Sequence, residues 1–364
     1  MRVGRTLIGG EHPLFVIAEI GLNHGGSRER ALHLVDAAAS AGASAVKLQT
    51  LIASELVAPA CPAPAHVTAH SLRAFFAGFE LDEAAHVAIA MRARTHGLAL
   101  IATPLSENAV AMLERVGVDA YKIASGDLTW DALIERCARS GKPLILSSGM
   151  STIDDVRHAI VCARRSGATD VAVLHCISAY PVPEGHENLR AIATLASTFD
   201  VPVGLSDHAR DTFSVPIAVT LGASIYERHL VLARDDGSVD AAVSSTPDEL
   251  AAAIAAAARA ARALGGGDKA CAPAEAMNVV PSRRGLYAAR SLSAGHRITE
   301  KDVIALRPAS GLAPDRLSEL IGATLKRSIE VGLPFRESDL RASPSPEPRI
   351  PNSEPRAEAT RGVA

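Results

Sequence analysis

The sequences VPVGLSDH (residues 201–208) and IYERHL (225–230) are two short β-branched runs, and each ends in a polar cluster with a histidine. The segment between them has the pattern of one helix and a turn. The pair therefore predicts a strand–helix–strand unit with His208 and His229 at the carboxyl ends of adjacent strands. Two imidazoles on adjacent rigid strands can share one divalent metal ion. An isolated histidine pair is more often structural, so the metal hypothesis depends on the rest of the chain.

The same alternation of strand and helix patterns runs through the first 270 residues. Segments with helical periodicity separate the apolar runs, and several begin at Ser, Thr or Asp and end at Gly, as helix caps do. The apolar runs are FVIAEI (15–20), SAVKLQ (44–49), LALIATP (98–104), AYKIA (120–124), LILSSG (144–149), VAVLHC (171–176), VPVGLS (201–206) and SIYERHL (224–230). Eight strand–helix units predict parallel strands in a closed (β/α)8 TIM barrel, an α/β fold. A doubly wound sheet is the alternative, but no Gly-rich phosphate loop follows the first strand.

Changes of composition divide the chain into segments. An alanine-rich helix with a glycine stop closes a catalytic domain at residues 1–264. Residues 265–281 lack periodicity and predict a linker. Residues 282–341 have short apolar runs broken by Gly-rich turns, which predicts a small, mostly β module. The tail at 342–364 is rich in Pro, Ser and charge and is expected to be disordered.

Composition narrows the class of protein. The 364 residues suffice for a barrel with an appendage. The net charge is −3 and no long basic run occurs, so we expect neither nucleic acid nor a membrane as partner. No apolar run reaches the roughly 20 residues of a membrane span, and the amino terminus lacks a signal peptide's apolar segment. The five cysteines form no CxxC pair and indicate free thiols in a reducing compartment, so the expected location is cytoplasmic.

The carboxyl ends of the predicted strands hold the candidate site, because barrel enzymes place their chemistry there. These ends and the loops after them carry Glu19, Asn23, His24, Lys47, Gln49, Thr103, Lys122, Ser125, Ser147, Ser148, His175, Ser178, Tyr180, Ser206, Asp207, His208, Glu227, Arg228 and His229. Lysines and hydroxyls that converge on one mouth suit a phosphate, since lysine supplies charge and hydroxyls supply directed donors. An insertion at residues 50–80 enters on the same side and is expected to cover or border the site. The residue types predict a metal-assisted barrel enzyme that acts on a phosphorylated substrate.

Ordered sequence motifs add a family resemblance. The strings AEIGLNHGGS, VKLQT, ATP, YKIASGD, SSGMST, HCISAYP, GLSDH and ERHL resemble the sialic acid synthase family of bacterial nonulosonate enzymes. The segment from 282 to 340, with RRGLYAARSLSAG and LRPASGL, resembles that family's carboxyl-terminal antifreeze-like (SAF) domain. The resemblance implies condensation of phosphoenolpyruvate with an N-acetylated hexosamine, such as N-acetylmannosamine, to give a nine-carbon keto acid and phosphate.

The resemblance also implies roles for individual residues. The positions that match phosphoenolpyruvate contacts are Lys47, Thr103, Lys122, Ser125, Ser147 and Ser206. A divalent metal, Mn²⁺ first with Mg²⁺ or Co²⁺ as alternatives, is implied on His208 and His229, with Glu19 as a catalytic proton handler. The positions that match sugar contacts are Gln49, Ser178, Tyr180, Asp240 and Arg307. Arg307 matches an arginine that reaches the other subunit's active site, which implies a homodimer with swapped carboxyl-terminal domains.

Two departures from the family's pattern fall on the sugar side. Ser178 stands where members often have Asn, and Ala241 and Ala242 stand where members carry His and Lys. The acceptor sugar therefore stays open, because a legionaminate, pseudaminate or spore-coat sugar synthase would carry the same motifs. A more distant alternative is a Schiff-base aldolase that uses Lys122 and needs no metal. A sugar-binding protein that works through its antifreeze-like module is a non-enzymatic alternative.

Overall fold

The computed structural model of the protein describes residues 1–62 and 69–341. The chain forms two compact units, Met1–Gly266 and a second that begins at Gly267. The predicted disordered tail at 342–364 lies outside the described residues, and so do residues 63–68 of the predicted insertion.

The first unit is a closed barrel of eight parallel strands, β3 to β10, in which each strand pairs with its neighbours in chain order and β10 pairs with both β9 and β3. Its elements are β1 (Arg2–Val3), β2 (Thr6–Leu7), β3 (Phe15–Glu19), α1 (Arg28–Ser40), β4 (Ala45–Thr50), α2 (Ala53–Leu56), α3 (Leu72–Ala77), α4 (Glu83–Thr95), β5 (Ala99–Pro104), α5 (Glu107–Val116), β6 (Ala120–Ile123), α6 (Asp131–Ala138), β7 (Leu144–Ser147), α7 (Ile153–Arg165), β8 (Val171–Cys176), α8 (Ala191–Thr198), β9 (Val203–Asp207), α9 (Ser214–Thr220), β10 (Ile225–Leu230), β11 (Ser244–Ser245) and α10 (Pro247–Leu264). The predicted (β/α)8 TIM barrel is confirmed.

Local sequence signals explain where the helices begin and end. Ser106 caps α5 by accepting a hydrogen bond from the Ala109 amide, and Gly117 ends the helix in the left-handed conformation. In α10 a reciprocal capping box joins Thr246 and Glu249, and a proline occupies the first turn. In the described part of the chain, no helix is long and apolar enough to cross a membrane.

The barrel interior is apolar at its amino-terminal end. Phe15, Ile17, Ile101, Ile145 and Ile225 fill it together with small alanines, and Val3 and Ile8 from the amino-terminal hairpin belong to the same cluster. The hairpin, β1 and β2, was not predicted. Gly204 is required on β9 because a Cβ there would overlap the backbone carbonyl of Ile225. With apolar groups packed below, the charged side chains of the strands gather at the carboxyl-terminal end.

The insertion forms two short helices, α2 and α3, on either side of the residues that are not described. Leu22, Leu51 and Ala53 form a small apolar cluster that Phe76 and Phe79 pack against. Arg73 donates to the carbonyl of Val57 at 2.6 and 2.9 Å. The described insertion thus packs beside the first βα loop of the barrel.

The second unit contains α11 (Ala276–Ser282), β12 (Gly285–Ala288), β13 (Val303–Leu306) and α12 (Leu317–Leu320), with β12 and β13 antiparallel. Its core includes Leu286, Leu292, Ile298, Leu312, Leu325, Ile329 and Phe335. Helix α11 lies largely within the predicted linker at 265–281, so that segment is irregular only in its first part. All residues of α11 are at least partly exposed, so no buried apolar stripe marks it in the sequence.

Two halves of the second unit repeat one another in sequence and structure. SLSAGHRITEKDV (291–303) aligns with SIEVGLPFRESDL (328–340), and each half buries an aspartate completely. Asp302 accepts from Arg290 Nε at 2.8 Å, and Asp339 accepts from Arg327 Nε at 2.6 Å. Burial opposes ionisation of Asp302, but hydrogen bonds from His296, Thr299 and Arg290 hold its pKa well below its usual range. A buried carboxylate with arginine as partner therefore anchors each half.

Candidate active site

A cavity of about 390 Å³ lies at the carboxyl ends of the barrel strands. Larger grooves lie on the outer surface, including one of about 600 Å³ beside Asp131 and His158. The smaller cavity collects many of the buried ionisable groups, and the predicted phosphoenolpyruvate, metal and sugar contacts of the barrel line it, apart from Asp240. The strand-end candidates that do not line it are Asn23, His24, Ser148, His175, Asp207 and Arg228. The lining residues are Glu19, Lys47, Gln49, Thr103, Leu105, Lys122, Ala124, Ser125, Gly126, Ser147, Met150, Cys176, Ser178, Tyr180, Ser206, His208, Glu227 and His229.

Two buried lysines occupy one side of this cavity. Lys47 Nζ forms an ion pair with Glu19, donates to Thr103 Oγ1 at 3.2 Å and lies 3.8 Å from Glu227 Oε2. Lys122 Nζ donates to the carbonyl of Ile123 at 3.2 Å and lies 3.9 Å from Glu227 Oε1. Burial lowers the pKa of Lys47 to about 8, although the charge of Glu227 opposes that shift. Lys47 is therefore still mostly protonated at neutral pH and available to an anion.

Glu227 is the residue that joins the two lysines, and the sequence assigned it no role. It accepts from Ser206 Oγ at 2.8 Å in addition to its contacts with the lysines. Burial raises the pKa of Glu227, but Lys122 and Lys47 outweigh that effect and lower it, so the carboxylate is ionised. The signal was present in IYERHL, because residues two apart on a strand share a face and Glu227 therefore accompanies His229.

Hydroxyl donors surround the lysines. Ser125 Oγ accepts from the Gly149 amide at 3.1 Å, while Ser147 and Ser206 are buried in the cavity wall. Gly149 is required here because a Cβ would overlap the hydroxyls of Ser125 and Ser178. This side of the cavity thus presents cationic and hydroxyl donors, which is the chemistry that binds a phosphate.

The two histidines line the cavity at the ends of β9 and β10, and His229 pairs with Glu19 on the neighbouring strand β3. The ring centroids of His208 and His229 are 5.4 Å apart, and Tyr180 stacks at 4.2 Å from His208. His208 Nδ1 lies 3.1 Å from the carbonyl of Ile177 and donates to it, so Nε2 is the nitrogen that a metal ion would take. Burial opposes the charge on His208, but the hydrogen bond and charge of Cys176 outweigh burial and raise its pKa. Burial and the charges of His208 and Lys47 hold the pKa of His229 well below its usual value, so its imidazole is neutral.

These residues fit a divalent metal ion. His229 Nδ1 is buried and makes no hydrogen bond within residues 1–62 and 69–341, and the nearest carboxylate oxygen, Asp240 Oδ2, lies 3.4 Å away. Imidazole nitrogen is a common metal ligand, and Mn²⁺ and Mg²⁺ add oxygen ligands such as water. No group of three or more His, Cys, Asp and Glu side chains that could hold a metal ion by itself occurs in that part of the chain. Water and substrate would therefore complete the shell around the two imidazoles.

Cys176 is a further cavity residue, although its sequence context alone assigned it no role. Its Sγ lies 3.7 Å from His208 Nδ1 and 4.0 Å from Ser178 Oγ. Burial alone would raise the pKa of this thiol, but His208 lowers it to about 7. The preceding residue, His175, points out of the cavity and lies 2.8 Å from the carbonyl of Glu187.

Asn23 fixes the loop that carries Asp240. Like the role of Glu227, this role of Asn23 was not predicted from the sequence. Asn23 is buried, and its Nδ2 donates to the carbonyl of Leu230 at 2.9 Å and to Ser244 Oγ at 3.0 Å. Its Oδ1 accepts from the amide of Asp240 at 3.1 Å. Burial raises the pKa of Asp240. Asn23 thereby places this carboxyl group beside His229.

Two further predictions concern the insertion and Arg307. No described residue of the insertion lines the cavity, so the prediction that the insertion borders the site finds no support in 50–62 and 69–80. Arg307 belongs to the second unit, where it follows β13 directly and is exposed to solvent.

Comparisons with known proteins match both units. A model of the NeuB family matches residues 34–269, and a model of the SAF domain matches residues 283–341. N,N'-diacetyllegionaminic acid synthase of Legionella pneumophila is 33% identical over 330 residues, 87% of this chain and 92% of that protein. Pseudaminic acid synthase of Campylobacter jejuni is 33% identical over 344 residues, 90% of this chain and 97% of that protein. The crystal structure of N-acetylneuraminic acid (sialic acid) synthetase from Leptospira borgpetersenii has a TM-score of 0.70 at 32% identity, covering 77% of this chain and 94% of that one.

Proposed function

The chain belongs to the NeuB family and carries a SAF domain, and on that premise we propose that it is a nonulosonate synthase. It condenses phosphoenolpyruvate with an N-acetylated hexosamine and water, and it releases a nine-carbon keto acid and phosphate. The observation that carries the proposal is that one cavity holds two lysines and several hydroxyls, mainly on β4 to β7, together with two histidines at the ends of β9 and β10. The lysines and hydroxyls suit the phosphate, and the histidines suit the sugar's carbonyl oxygen. The names of the relatives agree with this reaction class.

The phosphate end holds phosphoenolpyruvate through Lys47 and Lys122. Thr103, Ser125, Ser147 and Ser206 add hydroxyl donors around the same space. Their positive charge and dipoles stabilise the phosphate as it leaves, because donors that are already fixed in place need not reorganise during the reaction. Glu19 and Glu227 balance the lysines before the substrate arrives, so two buried cations do not face each other unpaired.

The region around the histidines holds the open-chain sugar. When bound by His208 and His229, a divalent ion supplies Lewis-acid polarisation of the aldehyde oxygen. Gln49, Ser178, Tyr180 and Asp240 surround the space that the sugar would occupy. Glu19, beside Lys47 and close to Gln49, is placed to handle a proton. Carbon 3 of phosphoenolpyruvate forms a bond to the sugar's aldehyde carbon, water adds at carbon 2, and the C–O bond to phosphate breaks.

Product analysis by mass spectrometry tests this function. We expect the protein to convert phosphoenolpyruvate and one member of a hexosamine panel to a keto acid of the summed mass plus water minus phosphoric acid. The panel includes N-acetylmannosamine and the precursors of legionaminate and pseudaminate, because Ser178, Ala241 and Ala242 depart from the sialic acid pattern. Phosphoenolpyruvate labelled with ¹⁸O in its bridging position should give labelled phosphate. Turnover with pyruvate instead of phosphoenolpyruvate would favour an aldolase.

The SAF domain leads to a second prediction, on assembly. We propose a symmetric homodimer in which Arg307 of one chain serves the partner's sugar site, because a guanidinium holds a carbonyl or N-acetyl oxygen in fixed geometry. Arg307→Ala and His208→Ala proteins should each be nearly inactive alone. Co-refolded, each mixed dimer should recover at most about half of the wild-type activity, since one of its two sites has both residues. Proven mixed dimers without any recovery would place the arginine's action in its own chain or nowhere.

A further inference from the structure

Behind the two histidines lies a buried arginine, Arg228, whose side chain is 0% exposed. Its Nη1 donates to the carbonyl of Ala209 at 2.7 Å, and its Nε donates to Ser245 Oγ at 3.1 Å. Nη1 also lies 3.4 Å from Asp207 Oδ2. The side chain does not line the cavity, so it has no direct contact with a substrate there.

Asp207, the partner of this arginine, is the centre of a second set of bonds. Its Oδ2 accepts from Ser214 Oγ at 2.5 Å and from Tyr226 OH at 3.0 Å. Its Oδ1 accepts from the amide of Ala209 at 2.9 Å. The ion pair is therefore one network that joins β9, β10, β11 and the first turn of α9.

The network holds the backbone next to His208 and next to His229. His208 lies between Asp207 and Ala209, and both of these neighbours are bonded to the network. His229 follows Arg228 directly, and Arg228 pairs with Asp207 in the β-ladder. His208 lies just beyond the last residue of β9, so ladder bonds alone do not fix it. The amide of Val182 holds the carbonyl of His208 at 3.0 Å, and the Arg228 guanidinium adds a second constraint by holding the carbonyl of Ala209.

The stability of the fold alone does not explain why the Arg228–Asp207 ion pair is buried here. A buried ion pair replaced by well-packed apolar side chains is often as stable as the original or more so. Arg228 Nη2 also has no hydrogen-bond partner among the residues that the structure describes, which is a further cost. Groups around metal ligands, by contrast, commonly set ligand orientation and affinity.

We propose that Arg228 and Asp207 are positioning residues that set the spacing of His208 and His229 and thereby the affinity for the divalent metal. The inference rests on the proposed function, which assigns the metal to these two imidazoles. The branched shape of the Arg228 guanidinium matters more than its charge, because only a guanidinium reaches Ala209, Ser245 and Asp207 at once.

Arg228→Lys tests the role of the branched guanidinium. Lysine keeps the positive charge but cannot reach Ala209, Ser245 and Asp207 at once. We expect Mn²⁺ binding, measured on the whole protein by electron paramagnetic resonance, to weaken by about tenfold to a hundredfold. The Kd for phosphoenolpyruvate should stay within about twofold, since its proposed contacts are the lysines and hydroxyls. The matched control is Arg92→Lys, which alters an exposed arginine fork on Asp36 with both bonds at 2.6 Å. It should change neither affinity.

Results other than the expected one show whether the positioning role of Arg228 or the metal site itself is wrong. A folded Arg228→Lys protein with wild-type Mn²⁺ affinity overturns the proposal, and so does equal weakening of both ligands, which would indicate general damage. If Arg228→Lys does not fold, Tyr226→Phe decides, because it removes one bond to Asp207 and should weaken Mn²⁺ binding alone. Unchanged binding there overturns the proposal. A wild-type protein that binds no Mn²⁺ would instead overturn the metal site itself, so the two failures are distinguishable.

Discussion

Replacing either His208 or His229 with alanine is expected to lower kcat/KM at least about a thousandfold, with a thermal transition within roughly 5 °C of wild type. Loss of one of two imidazole ligands removes a Lewis-acid contribution worth several kcal/mol, which corresponds to roughly a thousandfold in rate. Folding should survive because His229 Nδ1 makes no hydrogen bond to any described residue and His208 Nδ1 gives up only its contacts with Ile177 and Cys176. Steady-state kinetics and thermal denaturation measure the two effects.

Metal removal should reproduce the effect of these substitutions. Because the two histidines would leave much of the coordination shell to water and substrate, the ion should exchange readily. Dialysis against a chelator should abolish turnover, and added Mn²⁺ or Mg²⁺ should restore it. The matched control is His175→Gln, which alters a histidine that is buried beside the site and points away from it toward Glu187. Full activity after exhaustive chelation would contradict the metal hypothesis.

The barrel could be predicted because its strands are buried on both faces. Runs such as LALIATP and VAVLHC are almost wholly apolar, and the capped helices between them leave one consistent topology. The hairpin at Arg2–Leu7 could not be predicted, because two strands of two residues show no periodicity. Helix α11 was missed for the related reason that it buries none of its residues.

The site was partly predictable because parallel strands bring their carboxyl ends to one edge. This argument located the lysines, hydroxyls and histidines before any side-chain contact was known. It could not show that Glu227 lies between Lys47 and Lys122, because β10 contacts the other two strands only across the closed barrel. Nor could it show that Asn23 fixes Asp240, which is 217 residues further along the chain. Such pairings depend on the closure of the barrel, which a local pattern does not encode.

Lys122→Met should lower kcat/KM for phosphoenolpyruvate at least about a hundredfold. Each hydrogen bond to a charged group is worth about 1.5–3 kcal/mol, and 3 kcal/mol is roughly a hundredfold. The loss has a second cause, because Glu227 would keep only Lys47 as a cationic partner and would repel the incoming phosphate. The Kd for phosphoenolpyruvate, measured by calorimetry, should rise, while the affinity for Mn²⁺ should not change. Lys142→Met is the control, since Lys142 precedes β7 at the opposite end of the barrel.

Experiments on Lys122 also distinguish the metal-assisted synthase from a Schiff-base aldolase. A Schiff-base aldolase would form an imine between Lys122 and a carbonyl substrate, and borohydride would reduce it to a stable adduct. A phosphate-binding lysine forms no such adduct, and its charge is what matters. Lys122→Arg should therefore recover part of the phosphoenolpyruvate affinity that Lys122→Met loses, although an aldolase would stay inactive with either residue. Peptide mapping after borohydride treatment with substrate gives the decisive measurement: a modified Lys122 would overturn the phosphate-binding role and the metal-assisted reaction together.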